Sequence, residues 1–117
     1  MNKHLIFRAV VRRPEKTGAL RGTVYVLALE NGCYYIGWTT NLKRRLTQHF
    51  RGQATYWTKL HQPLRLLETI ENATLRTEDE VTERYIQRYT QEKVRGGIYV
   101  ILKYDPGGII ATIPYAN

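Results

Sequence analysis

Two tyrosines and an arginine–histidine pair are the side chains of this chain whose types and spacing suggest chemistry. Tyr25 and Tyr35 lie ten residues apart, on either side of an Asn-Gly dipeptide. Arg45 and His49 are four residues apart, a spacing that puts two side chains on one face of a helix. An arginine fork can bind a phosphate through two parallel donors, and a histidine beside it can transfer or orient a proton. From the pattern alone, a solvated helix charge and a boundary histidine are the commoner interpretation.

A further candidate is a carboxylate in an unusual position. Glu78 falls within an apolar stripe of helical period, so its side chain should point toward the sheet that carries the tyrosines. A single carboxylate there could hold Mg²⁺, which accepts few protein ligands, although the helix dipole also favours an acid in a first turn. Glu83 is the competing carboxylate, and it lies about 140° around the helix, where it is expected to face solvent beside Arg84 or Gln87. The stripe comprises Leu75, Glu78, Val81, Thr82, Tyr85, Ile86 and Tyr89.

A β-hairpin is predicted to carry the two tyrosines. Residues 23–30 and 33–38 are rich in strand formers, and Asn31-Gly32 between them is typical of a two-residue type I′ turn. Such a turn pairs position 28 with position 35, which places Tyr25 and Tyr35 on opposite faces of the sheet. A bulge or a longer turn would bring both rings to one face. The hairpin pattern therefore leaves their relative facing open.

Two helices and three further strand segments complete the predicted elements. Apolar residues of helical period predict a helix at residues 42–51, with Asn41 as its N-cap and Gly52 as its stop. A second helix is predicted between residues 72 and 92. The start of that helix is either capped by Asn72 or formed by a capping box of Thr77 and Glu80. The other predicted elements are a third strand at residues 64–71 and a hairpin of residues 97–104 and 109–113.

Positive charge is concentrated in the first half of the chain. The net charge is +8, and residues 1–65 hold twelve Lys and Arg against two acids, while residues 66–117 hold six against eight. This asymmetry suits a phosphate-rich partner, although a basic surface that only keeps the protein in solution is the simpler alternative. The candidate phosphate contacts, taken as helix-surface or loop charges, are Lys43, Arg44, Arg51, Lys59 and Arg95.

The composition bounds the class of protein. A chain of 117 residues has room for one domain, and its apolar share of 43% is typical of a globular protein. No apolar run approaches the roughly 20 residues of a membrane helix, and the first residues are too broken by charge for a secretion signal. One cysteine excludes a disulfide framework, so a reducing, intracellular (cytoplasmic) setting is expected.

These motifs together resemble the GIY-YIG endonuclease family, in particular its small stand-alone members. The resemblance is carried by Thr23-Val24-Tyr25, by Tyr35-Ile36-Gly37 and by the helix from Asn41 to His49 with Arg45 inside it. The segments Tyr56-Trp57-Thr58-Lys59 and Val94-Arg95-Gly96-Gly97 are also similar to stretches of that family. The resemblance covers about residues 22–97.

The resemblance implies an α/β (α+β) fold with a three-stranded antiparallel sheet flanked by helices, and hydrolysis of DNA phosphodiester bonds with one Mg²⁺ or Mn²⁺ ion. It assigns Tyr25 and Tyr35 as site tyrosines, Arg45 to the phosphate and His49 to the same site. Because residues 74–78 resemble the family's Ala-Leu-x-x-Glu run, Glu78 is the expected metal ligand, with Glu83 as the alternative. The expected organisation is a basic arm at residues 1–21, a nuclease domain at 22–97 and a C-terminal extension at 98–117, a hairpin packed on that domain.

Three other functions remain compatible with the sequence. An inactive nucleic-acid-binding module of the same fold is the main alternative, but it would have little reason to keep two tyrosines, an arginine and a glutamate together. A nuclease acting on RNA is the second, and a protein-binding domain that uses exposed aromatic residues is the third. No membrane partner is expected, and the sequence indicates no oligomeric state.

Overall fold

The computed structural model describes residues 18–99 and the short strand segments 104–105 and 108–109. Residues 1–17 of the expected N-terminal arm, and most of the expected C-terminal extension, lie outside the described residues. The elements in chain order are β1 (Gly22–Leu29), β2 (Tyr34–Thr39), α1 (Leu42–Phe50), α2 (Tyr56–Leu60), β3 (Pro63–Ala73), α3 (Leu75–Tyr89), β4 (Val94–Gly96), β5 (Tyr104–Asp105) and β6 (Gly108–Ile109).

The main sheet has four strands in the order β3-β1-β2-β4, so the predicted three-stranded sheet is wrong by one strand. The pairs β1–β2 and β1–β3 are antiparallel, as expected, whereas β4 runs parallel to β2. The sequence pattern predicts no strand at residues 94–96, which follow the second predicted helix. That helix ends at Tyr89 because Thr90 has a φ of 79°, outside the helical region. The three residues of β4 are too few to produce a strand pattern of their own.

The turn between β1 and β2 decides which way the two tyrosines face. Asn31 and Gly32 have the positive φ values that the sequence predicts, 63° and 68°, but Glu30 joins them in the turn. The Leu29 amide donates to the Cys33 carbonyl at 2.8 Å, closing a three-residue loop. The two-residue type I′ turn is therefore wrong, and the extra residue moves the register by one position. Tyr35 now pairs with Leu27, two residues from Tyr25, so both rings lie on one face.

The helix boundaries follow from capping side chains. Asn41 caps α1 as predicted, because its Oδ1 accepts the Arg44 amide at 3.1 Å. The start of α3 differs from both predicted alternatives: the N-cap is Thr74, whose amide donates to Thr77 Oγ1 at 3.2 Å. The sequence did not predict α2, which Thr55 caps and which spans five residues. A helix of one and a half turns is too short to display an apolar period.

Each face of the sheet carries its own core, and α3 lies on the face opposite to the tyrosines. Helices α1 and α2 cover one face and α3 covers the other. The apolar stripe of α3 packs on the sheet, as its pattern predicts, but on the face away from Tyr25 and Tyr35. The core on the side of α1 and α2 contains Tyr25, Leu27, Leu29, Cys33 and Trp57, with Tyr35, Leu42 and Leu46 packed against it. The core on the side of α3 includes Val24, Val26, Ile36, Val81, Ile86 and Val94.

The C-terminal hairpin predicted from sequence is represented by β5 and β6. Tyr104 pairs with Ile109 and Asp105 with Gly108 in an antiparallel arrangement. The rest of the predicted hairpin lies outside the described residues. Among the helices that the structure describes, none is long and apolar enough to cross a membrane.

Candidate active site

A buried chain of hydrogen bonds links β1 to α1 and α2. The Tyr25 hydroxyl is 2.8 Å from Nε2 of His49, and Nδ1 of His49 is 3.0 Å from Oγ1 of Thr58. Thr58 Oγ1 in turn lies 2.9 Å from Thr55 Oγ1. His49 and Thr58 are fully buried and Tyr25 is 1% exposed. Both ring nitrogens of His49 are therefore committed to protein partners, which fixes the orientation of the imidazole.

Tyr35 and Arg45 complete the cluster on the same face. The Tyr35 ring centroid is 4.9 Å from that of His49 and 6.2 Å from that of Tyr25. Arg45 is half-buried, and its Nη1 donates to Gln48 Oε1 at 3.0 Å. Four of the predicted site residues thus lie together, and Arg45 and Tyr35 keep part of their surface exposed.

Burial sets the protonation states of the site at neutral pH. It raises the pKa of Tyr25 well above the ordinary value, and the neighbouring Tyr35 raises it further. Burial and the charge of Glu78 raise the pKa of Tyr35 to about 12. The positive charge of Arg45 opposes both of these shifts. Burial, helped by Arg45, lowers the pKa of His49 to about 4. Both phenols are therefore protonated and the imidazole is neutral.

Gly37 provides the space that the Tyr25 ring occupies. Gly37 pairs with Tyr25 across β1 and β2, and a Cβ at this position would overlap the Cζ atom and the hydroxyl oxygen of Tyr25. Any side chain at position 37 would move that hydroxyl away from His49. Position 37 therefore requires glycine because the Tyr25 ring occupies the space of a side chain, and not because of an unusual backbone conformation.

Glu78 comes to the cluster from the other side of the sheet. It lies in the first turn of α3 and is 8% exposed. Although α3 packs on the opposite face, the charge of Glu78 raises the pKa of both Tyr35 and Tyr25, so its carboxylate lies within electrostatic reach of the two phenols. Glu83, expected in solvent, is instead half-buried, and its Oε2 accepts the Tyr99 hydroxyl at 2.7 Å. Of the two carboxylates, Glu78 is the one coupled to the tyrosines.

The residues of this cluster lie within a stretch of the chain that matches a known protein family. A sequence model of the GIY-YIG catalytic domain matches residues 21–95. The chain belongs to the GIY-YIG family. A GIY-YIG catalytic domain indicates a nuclease-type enzyme, and GIY-YIG nucleases act on nucleic acid and generally use divalent metal ions.

The relatives of this GIY-YIG chain include proteins named UPF0213. One, from Streptococcus pneumoniae, is 41% identical over 44 residues, which are 38% of this chain and 44% of the relative. Another, from Halalkalibacterium halodurans, is 31% identical over 83 residues, which are 65% of this chain and 86% of the relative. The chain thus spans less than half the length of the first of these relatives. No solved structure matches the chain.

The donor set of the GIY-YIG site suits a hard divalent cation. The oxygen atoms that could hold such an ion there are those of the Glu78 carboxylate and the two phenols. Among the described residues there is no group of three His, Cys, Asp or Glu that could enclose a metal. A site with one carboxylate fits Mg²⁺, which binds through one or two carboxylates and otherwise keeps water and phosphate oxygens.

The predicted phosphate contacts divide into two groups. Lys43, Arg44, Arg51 and Lys59 are exposed. Arg95 is not the loop charge that the sequence suggested, because it is 8% exposed and its Nη1 donates to the carbonyls of Gln91 and Val94. Its guanidinium also lies 4.2 Å from the centre of the Trp57 ring, a cation–π contact, and burial lowers its pKa to about 10. Arg95 therefore joins β4 to α2 within the fold.

Two buried polar residues were not predicted from the sequence. Thr58 holds His49, but it lies in a helix too short for its pattern to be recognised. Asp79 is fully buried, and its Oδ1 accepts the Ile98 amide at 3.1 Å beside Gly97, where a Cβ would overlap that oxygen. The sequence signal for Asp79 was the Gly96-Gly97 pair, which marks a close approach of backbone to another group.

The buried imidazole predicts a pH-dependent stability. The folded pKa of His49, about 4, lies below the ordinary histidine value of 6.5, so the unfolded chain binds a proton that the folded protein excludes. The free energy of unfolding should therefore fall as the pH falls from 6.5 to 4, by up to about 3 kcal/mol from this group. Denaturant unfolding across this pH range measures the effect.

The matched controls for this titration are His49→Gln and His61→Gln. His49→Gln should remove most of the slope that wild type has between pH 6.5 and 4, because the excluded proton site is gone. Burial also lowers the pKa of His61, but this side chain is only partly buried, so His61→Gln should retain most of that slope. Identical pH profiles for wild type and His49→Gln would contradict the neutral, buried state of His49.

Proposed function

We propose that this protein is a metal-dependent endonuclease that hydrolyses DNA phosphodiester bonds at the site formed by Tyr25, Tyr35, Arg45, His49 and Glu78. The observation that carries the proposal is the meeting of two phenols, a neutral imidazole and a guanidinium on one face, with the charge of a buried carboxylate acting on both phenols. Burying such groups costs free energy, and clusters of this kind are typical of catalytic sites.

Arg45 and Tyr35 are the residues that first meet the scissile phosphate, because their side chains keep exposed surface while Tyr25 and His49 are buried. The planar fork of Arg45 offers two parallel donors to two phosphate oxygens. Negative charge grows on those oxygens as the bond to the nucleophile forms. Donors already placed by the fold stabilise that charge most effectively, so Arg45 acts on the transition state.

Tyr25 and His49 are proposed to move the proton of the attacking water. The raised pKa of Tyr25 keeps its phenol protonated at neutral pH, so Tyr25 cannot act as a base by itself. In the tautomer in which Nδ1–H of His49 donates to Thr58, however, Nε2 accepts the Tyr25 proton, and the Tyr25 oxygen can accept a proton from water at the same time. Thr58 then acts as a positioning residue, because its hydroxyl can donate to the Thr55 carbonyl and accept Nδ1–H of His49 at the same time.

Glu78 is proposed to hold the divalent ion, with the remaining coordination positions taken by water and phosphate oxygens. The ion supplies Lewis-acid polarisation of the phosphate and lowers the pKa of a bound water. Glu78 would hold the ion within electrostatic reach of the two phenols.

The proposed activity predicts cleavage that depends on a divalent ion. Purified protein incubated with single-stranded, duplex and branched DNA should cut at least one of them in Mg²⁺ or Mn²⁺ and none of them in excess chelator. RNA of the same sequence serves as a parallel substrate. Cutting that continues undiminished in chelator would overturn the metal-dependent mechanism, and binding without cutting under every condition would identify an inactive module.

DNA binding is expected to depend on phosphate charge rather than on base sequence. The exposed cations lie on α1 and α2, or directly after α1, and these helices cover the face of the sheet that carries the active site: Lys43, Arg44, Arg51 and Lys59. Affinity for duplex DNA should fall with salt with a log–log slope of about −0.9 per phosphate neutralised. Lys43→Gln and Arg44→Gln should each reduce the slope by about one, measured by fluorescence anisotropy in chelator. A flat salt response, or preference for one short sequence, would contradict this interpretation.

A further inference from the structure

A second cluster of aromatic and cationic side chains lies on the face of the sheet opposite to the active site. Tyr34 and Tyr35 are consecutive in β2, so their side chains point to opposite faces. Tyr35 contacts the active-site histidine, whereas Tyr34 stacks on Tyr89 of α3, with ring centroids 4.3 Å apart and planes inclined by 25°. Tyr85 completes the cluster, at 5.6 Å from Tyr34 and 5.9 Å from Tyr89.

Two of these rings, Tyr85 and Tyr89, border a cavity of about 170 Å³, and Glu68, Arg84 and Arg88 complete its lining. It is smaller than the roughly 300–1,000 Å³ of sites that enclose a whole drug-sized ligand. Tyr85 and Tyr89 are only partly buried, and the two arginines are exposed. The cavity therefore has room for one ring or one charged group of a larger ligand that continues outside it.

The charges around this cavity favour an anion. Arg84 pairs with Glu68 at 2.6 Å, which neutralises that carboxylate and holds β3 against α3. Arg88 makes no ion pair within the part of the chain that the structure describes, and its guanidinium lies 5.5 Å from the centre of the Tyr89 ring. Burial raises the pKa of Tyr34, and the charge of Arg88 opposes the shift. The cavity thus has one positive charge, on Arg88, that no described carboxylate neutralises, beside partly exposed aromatic rings.

We propose that this cavity is a second nucleic-acid contact, which takes one unstacked base of a single-stranded segment against Tyr85 and Tyr89 and the adjacent phosphate on Arg88. The class of ligand rests on the proposed function, whereas the position of the site rests on the geometry above. Aromatic rings beside cations are the usual means of binding single strands, because every base has a face that can stack. A duplex keeps its bases stacked inside and cannot present one to such a cavity. A strand held here and cut on the other face must pass around the edge of the sheet.

The test is binding of a fluorescein-labelled, single-stranded oligodeoxyadenylate of about eight nucleotides, measured by anisotropy in chelator. Tyr85→Leu should weaken binding by on the order of tenfold, the loss of one base-stacking contact, and should leave binding to a duplex unchanged. Arg88→Gln should reduce the salt slope on single-stranded DNA by about 0.7, the value for one phosphate.

Arg76→Gln is the matched control. Arg76 carries the same charge on the same helix, pairs with Glu80 at 3.5 Å, and lies twelve residues from Arg88, about 18 Å along the helix axis. Equal weakening by Arg76→Gln and Arg88→Gln would overturn the site in favour of diffuse charge, as would wild-type affinity in a folded Tyr85→Leu protein. If thermal melting shows that Tyr85→Leu does not fold, the comparison of Arg88→Gln with Arg76→Gln decides alone.

This test separates the second contact from the nuclease activity. A protein that shows these differences between variants but cuts no DNA in Mg²⁺ or Mn²⁺ has the second contact and is not a nuclease. If the protein cuts DNA, and Tyr85→Leu and Arg88→Gln bind single-stranded DNA as wild type does, the protein is a nuclease without the second contact.

Discussion

Glu78→Gln is expected to bind DNA and fail to cut it. Glutamine has the shape of glutamate but no charge, so it cannot neutralise a divalent ion beside the phenols. Metal catalysis contributes several kcal/mol to such reactions, and about 1.36 kcal/mol corresponds to a factor of ten, so cleavage should fall by roughly 10³-fold or more. DNA affinity should stay the same or rise slightly, because a negative charge near the phosphate is removed. Single-turnover cleavage and anisotropy in chelator measure the two effects.

Glu83→Gln is the matched control for Glu78→Gln. It makes the same change five residues along α3, at a carboxylate whose partner is the Tyr99 hydroxyl. A glutamine oxygen can still accept that hydrogen bond, so the variant should fold and cut normally. A dead Glu83→Gln together with an active Glu78→Gln would assign the metal to Glu83 instead.

Glu78→Gln also has an expected result that does not require activity. The Glu78 charge raises the pKa of Tyr35 and Tyr25, so its removal should lower both values. Ultraviolet titration of tyrosinate should show the change at the less strongly shifted group, Tyr35. An unchanged titration would mean that the carboxylate is too far from the phenols to hold a metal beside them.

The parts of this fold that the sequence predicts are those in which a local pattern and a capping residue agree. Helix α1 is an example, because Asn41, the apolar period and Gly52 all indicate the same boundaries. The spacing of Arg45 and His49 on that helix then follows directly. The fold around them was harder to predict, since β4 has three residues and α2 has five, too few for a periodic pattern to be recognised.

Two features could not be predicted because they depend on contacts between distant segments. Tyr25 and Tyr35 lie on the same face of the sheet because Glu30 is part of the turn. The Asn31-Gly32 dipeptide is equally consistent with a two-residue turn, which would place the rings on opposite faces. The position of α3 depends on which face of the sheet α1 has already covered. Glu78 was chosen because it lies in an apolar stripe, but the stripe packs on the far face, and the carboxylate acts on the phenols from there.

Arg45→Lys is expected to lower the cleavage rate by about 10²–10³, as the loss of a donor to a developing oxyanion does in other hydrolases. Lysine keeps the positive charge, so DNA affinity should change little. What it loses is the planar fork, since an ammonium group cannot donate in parallel to two phosphate oxygens. In this protein Arg45 has a second role, because its charge opposes the rise in the pKa of both phenols. The more mobile ammonium of lysine would oppose this rise in pKa less. The phenols would then be still harder to deprotonate, which adds to the loss of rate.

Arg44→Lys is the control for Arg45→Lys because it makes the same replacement one residue earlier in α1. The Arg44 side chain is exposed, and it is the Arg44 backbone amide that bonds to Asn41. Arg44→Lys should therefore cut at the wild-type rate with wild-type affinity. The comparison is made by single-turnover cleavage at saturating protein, where differences in binding no longer contribute. If Arg45→Lys cuts as fast as Arg44→Lys, the guanidinium fork has no part in the transition state, and the positive charge alone accounts for Arg45.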